Sequence, residues 1–237
     1  MSAYQLYLGD CLEFMRGMDA GSVDAVITDP PFGIDFKYSQ HNDSPDGYGD
    51  WIWNVISQAE SKCTAESPIF VWQAMLNVRN FANWFPRDWR IFAACKNFVQ
   101  MRPTAMQYAF DPVLVWWTDG DIYGAGTNSR DWHIGNTANT LSRKDGDAKG
   151  HPCARPLDQV RHMIEQWVRP SGTVFDPFMG SGTTGVACMQ LGRNFIGCEI
   201  DPAYYAIAER RIRDAAAQLP LPEMHAPKIE AIQEAML

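Results

Sequence analysis

Two short apolar runs in this chain each lead into an acidic residue followed by proline. The first run, residues 24–28, precedes Asp29, Pro30, Pro31 and Phe32. Its length and its branched residues are typical of a buried strand. Ligands of open parallel sheets bind at the carboxyl ends of the strands, so the pattern places a carboxylate beside a ligand. The sequence therefore predicts an α/β fold with a mostly parallel sheet.

The turn after the first run is stiff and offers hydrogen-bond acceptors. Proline lacks a backbone donor, fixes its own backbone angle and pushes the preceding residue towards extended geometry. With Asp29 before the prolines and Phe32 after them, the turn can accept hydrogen bonds from an amino group while the ring stacks on a flat heterocycle. The alternative is a rigid turn without a chemical role, since Asp and Pro are common turn residues.

The second run, residues 172–175, leads into Asp176 and a glycine-rich turn before a helical pattern at 184–191. Glycines let the backbone approach a ligand closely, and the free amides at a helix start favour an anionic group. The next strand-like run ends in Glu199, at a position suited to ribose hydroxyls. The sequence therefore predicts a nucleotide-like ligand at this turn.

The same glycines allow another interpretation. Gly180, Gly182 and Gly185 satisfy the G-x-G-x-x-G spacing of dinucleotide-binding folds. Those folds need further strand and helix units after Glu199, but only a helical pattern at 203–217 follows it. The missing strand is predicted at residues 4–8, which end in Gly9 and Asp10, so we expect a circularly permuted α/β domain.

The remaining periodicity completes one predicted domain over residues 1–219, with a tail at 220–237. A polar loop at about 37–49 follows the first motif, and a second polar segment spans about 119–150. Further strands are expected at 67–72, 89–94 and 112–116, and helices at 11–18, 51–62, 77–85 and 156–168.

These motifs occur in an order that resembles a DNA amino-methyltransferase using S-adenosylmethionine, of the group in which Asp-Pro-Pro-aromatic precedes the glycine motif. Further matching segments are 9–10, 110–116, 151–156 and 199–202. The resemblance implies a single, circularly permuted, Rossmann-like methyltransferase domain. Two positions depart from the pattern: Phe32 stands where members often have Tyr, and Arg155 where they often have Lys, which changes the geometry of the charge.

The resemblance also implies roles for individual residues. The Asp29 carboxylate and the Pro30 carbonyl would hold the two hydrogens of an exocyclic amine, and Phe32, after Pro31, would stack on the flipped base. The residues expected around the cofactor are Asp10, Asp29, His151, Arg155, Asp176, Phe178, Gly180, Ser181, Gly182, Thr183 and Glu199.

Three alternatives stay open beside methylation of adenine N6. Cytosine N4 methylation uses the same acceptors, although that group more often has Ser in place of Asp29. Cytosine C5 methylation needs a thiol nucleophile, for which Cys153 is the candidate, but the Gln that commonly follows such a Pro-Cys pair is missing. A protein that binds cofactor and DNA without methylating is a further class.

Net charge limits how the chain can meet DNA. At −8 the chain lacks bulk attraction for phosphate, so contact requires a locally basic surface. The residues proposed for it are Lys37, Arg130, Arg143 and Lys144, with Trp132 and His133 as candidates for base contact. Because the segment at 119–150 is short for target recognition, a second copy of the chain, in a homodimer, is a further expected contributor.

Composition does not indicate a disulfide-bonded or a metal-binding protein. The six cysteines form no C-x-x-C pair, which favours reduced thiols, and the five histidines lack the spacing of a metal site. We expect no metal, no membrane span and no signal peptide, and a cytoplasmic location in a bacterial or phage-infected cell.

Overall fold

The computed structural model describes residues 2–36, 43–97, 108–118, 129–135 and 155–218. Strands and helices alternate along these ranges. The strands are β1 (Tyr4–Leu8), β2 (Ala25–Thr28), β3 (Pro68–Trp72), β4 (Arg90–Lys96), β5 (Phe110–Trp117), β6 (Trp132–Gly135), β7 (Thr173–Asp176) and β8 (Asn194–Glu199). The helices are α1 (Cys11–Arg16), α2 (Tyr48–Glu60), a 3-10 helix (Met75–Asn80), α3 (Phe81–Trp84), α4 (Leu157–Trp167), α5 (Thr183–Gln190) and α6 (Pro202–Ala217).

The described strands form one sheet in the order β1-β8-β7-β2-β3-β5-β4-β6. Only β5 runs against the other strands. The first strand lies parallel to the last, with Leu8 opposite Glu199. This pairing confirms the predicted permutation, because the strand missing after Glu199 is supplied by residues 4–8.

Helices cover both faces of the sheet. One face carries α4, α5 and α6, which bury Met163, Ala187 and Ile212 against the strands. The other carries α1, α2 and α3, which bury Met15, Ile52 and related side chains. Strands β2 and β3 are buried along their whole length. Their continuous apolar sequences follow from this two-sided cover.

One strand was not predicted. Residues 132–135 lie inside the segment assigned to a polar surface loop, yet they form β6, parallel to β4 at the sheet edge. With four residues and a half-polar sequence, β6 has too little periodicity to identify. Its pairing with β4, about forty positions earlier, specifies it instead.

Helix packing requires two glycines of the glycine motif, Gly182 at the start of α5 and Gly185 within it. A Cβ on Gly182, which has φ +81°, would lie 2.9 Å from the Ala208 Cβ of α6. A Cβ on Gly185 would lie 2.4 Å from the Ile212 Cδ1. The glycine motif therefore allows α5 and α6 to pack closely, in addition to any ligand it admits. Within the described residues, no helix is long and apolar enough to cross a membrane.

Candidate active site

Four acidic side chains stand in a row at the carboxyl edge of the sheet. Asp10, Glu199, Asp176 and Asp29 end or directly follow β1, β8, β7 and β2, which are adjacent parallel strands. Neighbouring strands are about 4.8 Å apart, so Glu199 and Asp29 are separated by two steps, or roughly 10 Å. The sheet therefore brings the two sequence motifs to the same edge, as predicted.

Asp10 and Glu199 lie on the outer part of this row. One Asp10 oxygen caps α1 by accepting from the amides of Leu12 at 2.7 Å and Glu13 at 3.3 Å.

The Glu199 oxygens accept from the amides of Gly180 and Asp201, at 2.9 Å and 2.8 Å. Burial raises the pKa of Glu199, and these two amides partly offset the shift. Each carboxylate keeps lone pairs for a hydroxyl or amine ligand.

The Asp176 carboxylate accepts hydrogen bonds from three groups within the protein. It accepts from the Thr28 hydroxyl at 2.7 Å, the Thr184 hydroxyl at 2.8 Å and the Phe178 amide at 3.1 Å. It thereby joins β7 to β2 and to the start of α5. Burial raises the pKa of Asp176 to about 7. A direct contact between Asp176 and a ligand therefore stays a prediction, whereas its contacts with the turn are observed.

This raised pKa gives the stability of the chain a pH dependence. The folded chain holds a proton on Asp176 that the unfolded chain has already lost, because the ordinary pKa is 3.8 and the folded pKa is about 7. The stability from this group is full below pH 3.8 and is lost as the pH rises through 7. We expect Asp176→Asn to gain stability relative to wild type as pH rises from about 4 to about 8. Urea unfolding across that range checks this, and a constant difference would contradict it.

A side chain of α6 stabilises the turn between β7 and α5. The Arg211 guanidinium donates to the backbone carbonyl and hydroxyl of Ser181 and, at 3.5 Å, to the Thr183 hydroxyl. Helix α5 begins at Gly182 without a side-chain cap. Its first amides therefore suit an anionic group of a ligand. Phe178 packs against Trp51, with ring centroids 5.6 Å apart.

Asp29 is held by Arg155 through a two-pronged ion pair. The guanidinium Nε and Nη2 donate to the two Asp29 oxygens at 2.7 Å and 2.8 Å. The two side chains are 17% and 25% exposed, so the pair is largely shielded from water. The resemblance assigned Arg155 to the cofactor pocket, whereas the structure places its guanidinium on Asp29. The fork of Arg allows this geometry, which the single ammonium of Lys cannot reproduce.

The ion pair continues into a chain of alternating charges. The remaining Arg155 nitrogen donates to Asp111, and the Lys96 ammonium donates to the other Asp111 oxygen at 2.7 Å. Strand β5 is antiparallel, so its first residues reach the same edge as the carboxyl ends of the other strands. The guanidinium also lies 5.7 Å from the Phe32 ring centroid and 5.9 Å from that of Trp72.

Sequence reasoning gave Asp111 and Lys96 no role. Asp111 lies in the segment 110–116 that contributed to the resemblance, so a signal existed for it. Lys96 belongs to no motif. Its position follows from the pairing of β4 with β5, which brings Cys95 opposite Phe110.

Of the four residues proposed to contact DNA, Arg130 is the one that the described ranges include. Lys37, Arg143, Lys144 and also His151 lie outside the described residues. Exposed Arg130 lies over the Trp132 ring, 5.3 Å from its centroid. It precedes Gly135, the end of β6 at the site edge, by five residues, or roughly 17 Å of extended chain. His133, proposed for base contact, is stacked on His162 with centroids 4.4 Å apart.

The described cysteines and acidic groups do not form other sites. Burial raises the pKa of Cys11 and Cys63 to about 12 and also raises the pKa of Cys95, Cys188 and Cys198, so these thiols are not activated nucleophiles. All five are free, whereas Cys153 lies outside the described part of the chain. Among the described residues, no group of His, Cys, Asp and Glu could hold a metal.

The arrangement has the donors and acceptors that a nucleoside-like ligand requires. Asp10 and Glu199 can accept hydrogen bonds from hydroxyls or an amine, the start of α5 has no side-chain cap and suits an anion, and Asp29 lies two strands from Glu199. These chemistries fit a ligand that combines a ribose with a charged tail.

Comparison with known proteins identifies the family. A family model described as DNA methylase, covering N6 and N4 methyltransferases, matches residues 23–210. The Type II methyltransferase M.BglII of Bacillus subtilis is 23% identical over 245 residues, which cover 86% of this chain and 67% of the relative. The structure of a complex of M1.HpyAVI with S-adenosylmethionine superposes with a TM-score of 0.66 at 23% identity, covering 88% of this chain and 98% of the other. The cytosine-N4-specific PvuII DNA methyltransferase gives a TM-score of 0.70 at 18% identity, covering 91% and 92%.

Proposed function

The chain belongs to the N6/N4 DNA methylase family, and on this premise we propose that it methylates the N6 amine of adenine in DNA, with S-adenosylmethionine as cofactor. The observation that carries the proposal is the position of Asp29. Its carboxylate follows a buried strand at the sheet edge, beside the backbone carbonyl of Pro30 and two strands from Glu199.

Asp29 and Pro30 supply two acceptors for one amine. The exocyclic amine of adenine is a poor nucleophile, since its lone pair is delocalised into the ring. A carboxylate oxygen and a carbonyl oxygen that each accept one of its hydrogens favour a pyramidal nitrogen, whose lone pair is no longer conjugated. Fixing the amine in this way contributes through positioning, which can account for a large part of a rate enhancement.

Arg155 keeps the carboxylate in one orientation. Two of the Asp29 lone pairs are taken by the guanidinium fork, and an ionised carboxylate has about four. The remaining lone pairs face away from Arg155 and are available to an amine. Asp111 of β5 pairs with Arg155, and Lys96 of β4 pairs with Asp111. The orientation of Asp29 therefore depends on β4 and β5 as well as on β2.

The cofactor fits the carboxylates of Asp10 and Glu199 and the amides at the start of α5. When bound, S-adenosylmethionine supplies an electrophilic methyl group. We assign Glu199 to its ribose hydroxyls, Asp10 to its adenine amine and the start of α5 to its carboxylate. The support is chemical: two carboxylates with unused lone pairs and a helix start without a side-chain cap lie on adjacent elements.

A test of this assignment is Glu199→Gln. We expect the variant to bind S-adenosylmethionine about 10- to 100-fold more weakly, because a charge-assisted hydrogen bond contributes about 1.5–3 kcal/mol. Isothermal calorimetry measures the affinity, and Glu209→Ala, which removes an exposed carboxylate from α6, is the matched control. An affinity equal to that of the control would place the ribose elsewhere.

The target base reaches Asp29 only outside the duplex. An amine inside a stacked pair cannot meet both acceptors, so the base is flipped into the site. Phe32 is partly exposed at the end of the turn and offers a face for stacking, with the Arg155 guanidinium 5.7 Å from its centroid. The hydroxyl that Tyr would add at position 32 is not needed for this contact.

The choice of adenine rests on Asp29. The resemblance to amino-methyltransferases implies Ser at this position more often in enzymes that modify cytosine N4. Cytosine N4 is the second candidate, since the family model covers both reactions. Sequencing that detects modified bases, applied to DNA from cells expressing the chain, distinguishes them. Modified adenines in a repeated sequence context support the proposal, and modified cytosines replace it with the second candidate.

The partner and setting are part of the same proposal. M.BglII and M.HinfI of Haemophilus influenzae are Type II methyltransferases, so we propose DNA as the partner, a role in restriction-modification and action in the cytoplasm of a bacterial or phage-infected cell. Target recognition by residues 119–150, aided by a homodimer, belongs to this proposal because three of the four candidate contacts, Arg130, Arg143 and Lys144, lie in that segment.

A further inference from the structure

The backbone that follows Asp29 and Pro30 is held by three buried side chains, two from the segment just after it and one from the 3-10 helix after β3. Asp43, Tyr48 and Asn77 are 2%, 3% and 8% exposed. None of them belongs to a motif identified in the sequence. Each contacts the main chain between Pro31 and Phe36, the segment that leads away from the catalytic residues.

Tyr48 reaches the turn from the first residue of α2. Its hydroxyl donates to the Pro31 carbonyl at 2.8 Å and accepts from the Gln73 side-chain amide at 3.0 Å. Its ring packs against Gly33, where a Cβ would lie 2.5 Å from the ring Cγ. Gly33 also has φ +65°, a left-handed backbone that favours glycine. The turn is thus fixed against Tyr48 both by packing and by a hydrogen bond.

Asn77 holds the next carbonyl. It lies in the 3-10 helix after β3, and its side-chain amide donates to the Phe32 carbonyl at 2.6 Å. This bond joins the turn to residues that lie 45 positions later in the sequence. Because Asn77 is almost fully buried, water does not readily replace the donor that it provides.

Asp43 holds the amides that follow. Its carboxylate accepts from the amides of Gly33 at 2.6 Å, Ile34 at 3.1 Å and Phe36 at 3.0 Å. Three such bonds to one ionised acceptor are stronger than bonds between neutral groups. The backbone after Phe32 is therefore folded around a single buried carboxylate.

Among the described residues, these contacts occupy two of three consecutive carbonyls and leave the third without a donor. The Pro31 and Phe32 carbonyls are occupied, whereas no described residue donates to the carbonyl of Pro30. Resting on the proposed function, we propose that Tyr48 and Asn77 are positioning residues, which fix the turn so that the amine is received by the Pro30 carbonyl together with Asp29. Asp43 stabilises the same turn from its far end.

The test compares transfer rates of variants that lose one donor each. Tyr48→Phe removes only the hydroxyl and Asn77→Ala removes only the amide. The enzyme is in excess over DNA, at a concentration that saturates the DNA, and methyl-labelled S-adenosylmethionine is saturating. We expect each variant to lower the single-turnover rate about tenfold or more, since small misplacements of reacting groups are costly. The rates are normalised to the number of cofactor sites measured by calorimetry, which removes any unfolded fraction.

Matched controls separate positioning from general destabilisation. Tyr4→Phe removes a tyrosine hydroxyl from an exposed position and is the control for Tyr48→Phe. Asn54→Ala removes an asparagine amide from an exposed position of α2 and is the control for Asn77→Ala. Positioning predicts that the KM for DNA and the Kd for cofactor stay within about twofold of wild type while kcat falls. Rates within twofold of the controls in both variants would overturn this inference alone. If the wild-type chain transfers no label to DNA, the proposed function fails, and this inference fails with it.

Discussion

Replacing Asp29 by alanine is expected to lower the single-turnover rate of methyl transfer at least about a hundredfold, while cofactor affinity stays within about tenfold. The carboxylate accepts from the amine most strongly when the nitrogen becomes pyramidal, so its loss acts mainly on the transition state. Its distance of two strands from Glu199 explains why cofactor binding is largely spared. Rapid-quench kinetics and calorimetry measure the two quantities.

Asp88→Ala is a suitable control for this variant. Asp88 is exposed and precedes β4, at the opposite edge of the sheet from Asp29. Its removal changes net charge by the same amount without touching the ion pair with Arg155. If Asp29→Ala transfers methyl groups at a rate near that of Asp88→Ala, Asp29 does not act as the acceptor for the amine.

Replacing Gly182 by alanine is expected to cost about 2–5 kcal/mol of unfolding free energy, combining backbone strain with overpacking. The new Cβ would lie 2.9 Å from the Ala208 Cβ and 3.0 Å from its Cα, a backbone atom that cannot move aside cheaply. Urea unfolding followed by circular dichroism measures the loss.

Gly192→Ala separates the two contributions. Gly192 has φ +69°, also left-handed, but a Cβ there has no neighbour within 4 Å. Its replacement should therefore cost only the strain, about 1–2 kcal/mol. Equal losses for the two variants would show that contact with α6 does not determine the need for glycine at 182.

The sequence predicted the parts of this molecule that depend on local patterns. The run 68–72 is buried along its whole length and has no polar residue, so its strand could be identified from length and composition alone. The row of acidic strand ends followed, because parallel strands present their carboxyl ends at one edge. Even the position of β1 beside β8 was predictable, since a unit was missing after Glu199.

Contacts between distant parts of the sequence were not predictable in this way. Arg155 and Asp29 are 126 positions apart, and nothing in the periodicity of either segment indicates that they pair. The same holds for Asn77 and Phe32. Such pairs depend on side-chain geometry after the sheet has formed. The resemblance between motifs placed Arg155 and Asp29 in one expected set but did not indicate the two-pronged ion pair between them.

The glycine motif illustrates a different limit. Its spacing is shared by folds that bind dinucleotides and by this one, and the sequence could not show that Gly182 and Gly185 contact α6. The structure shows that packing against α6 requires glycine at these two positions. It also shows that no side chain caps the amides at the start of α5.

The most direct test of the central claim is nucleoside analysis of DNA after incubation with the purified chain and S-adenosylmethionine. DNA free of modified bases is treated with wild type or with Asp29→Ala, digested to nucleosides and examined by mass spectrometry. We predict N6-methyladenine with wild type and at most about one hundredth as much with the variant at early times. Methylated DNA in equal amounts from both proteins, or none from either, would contradict the account.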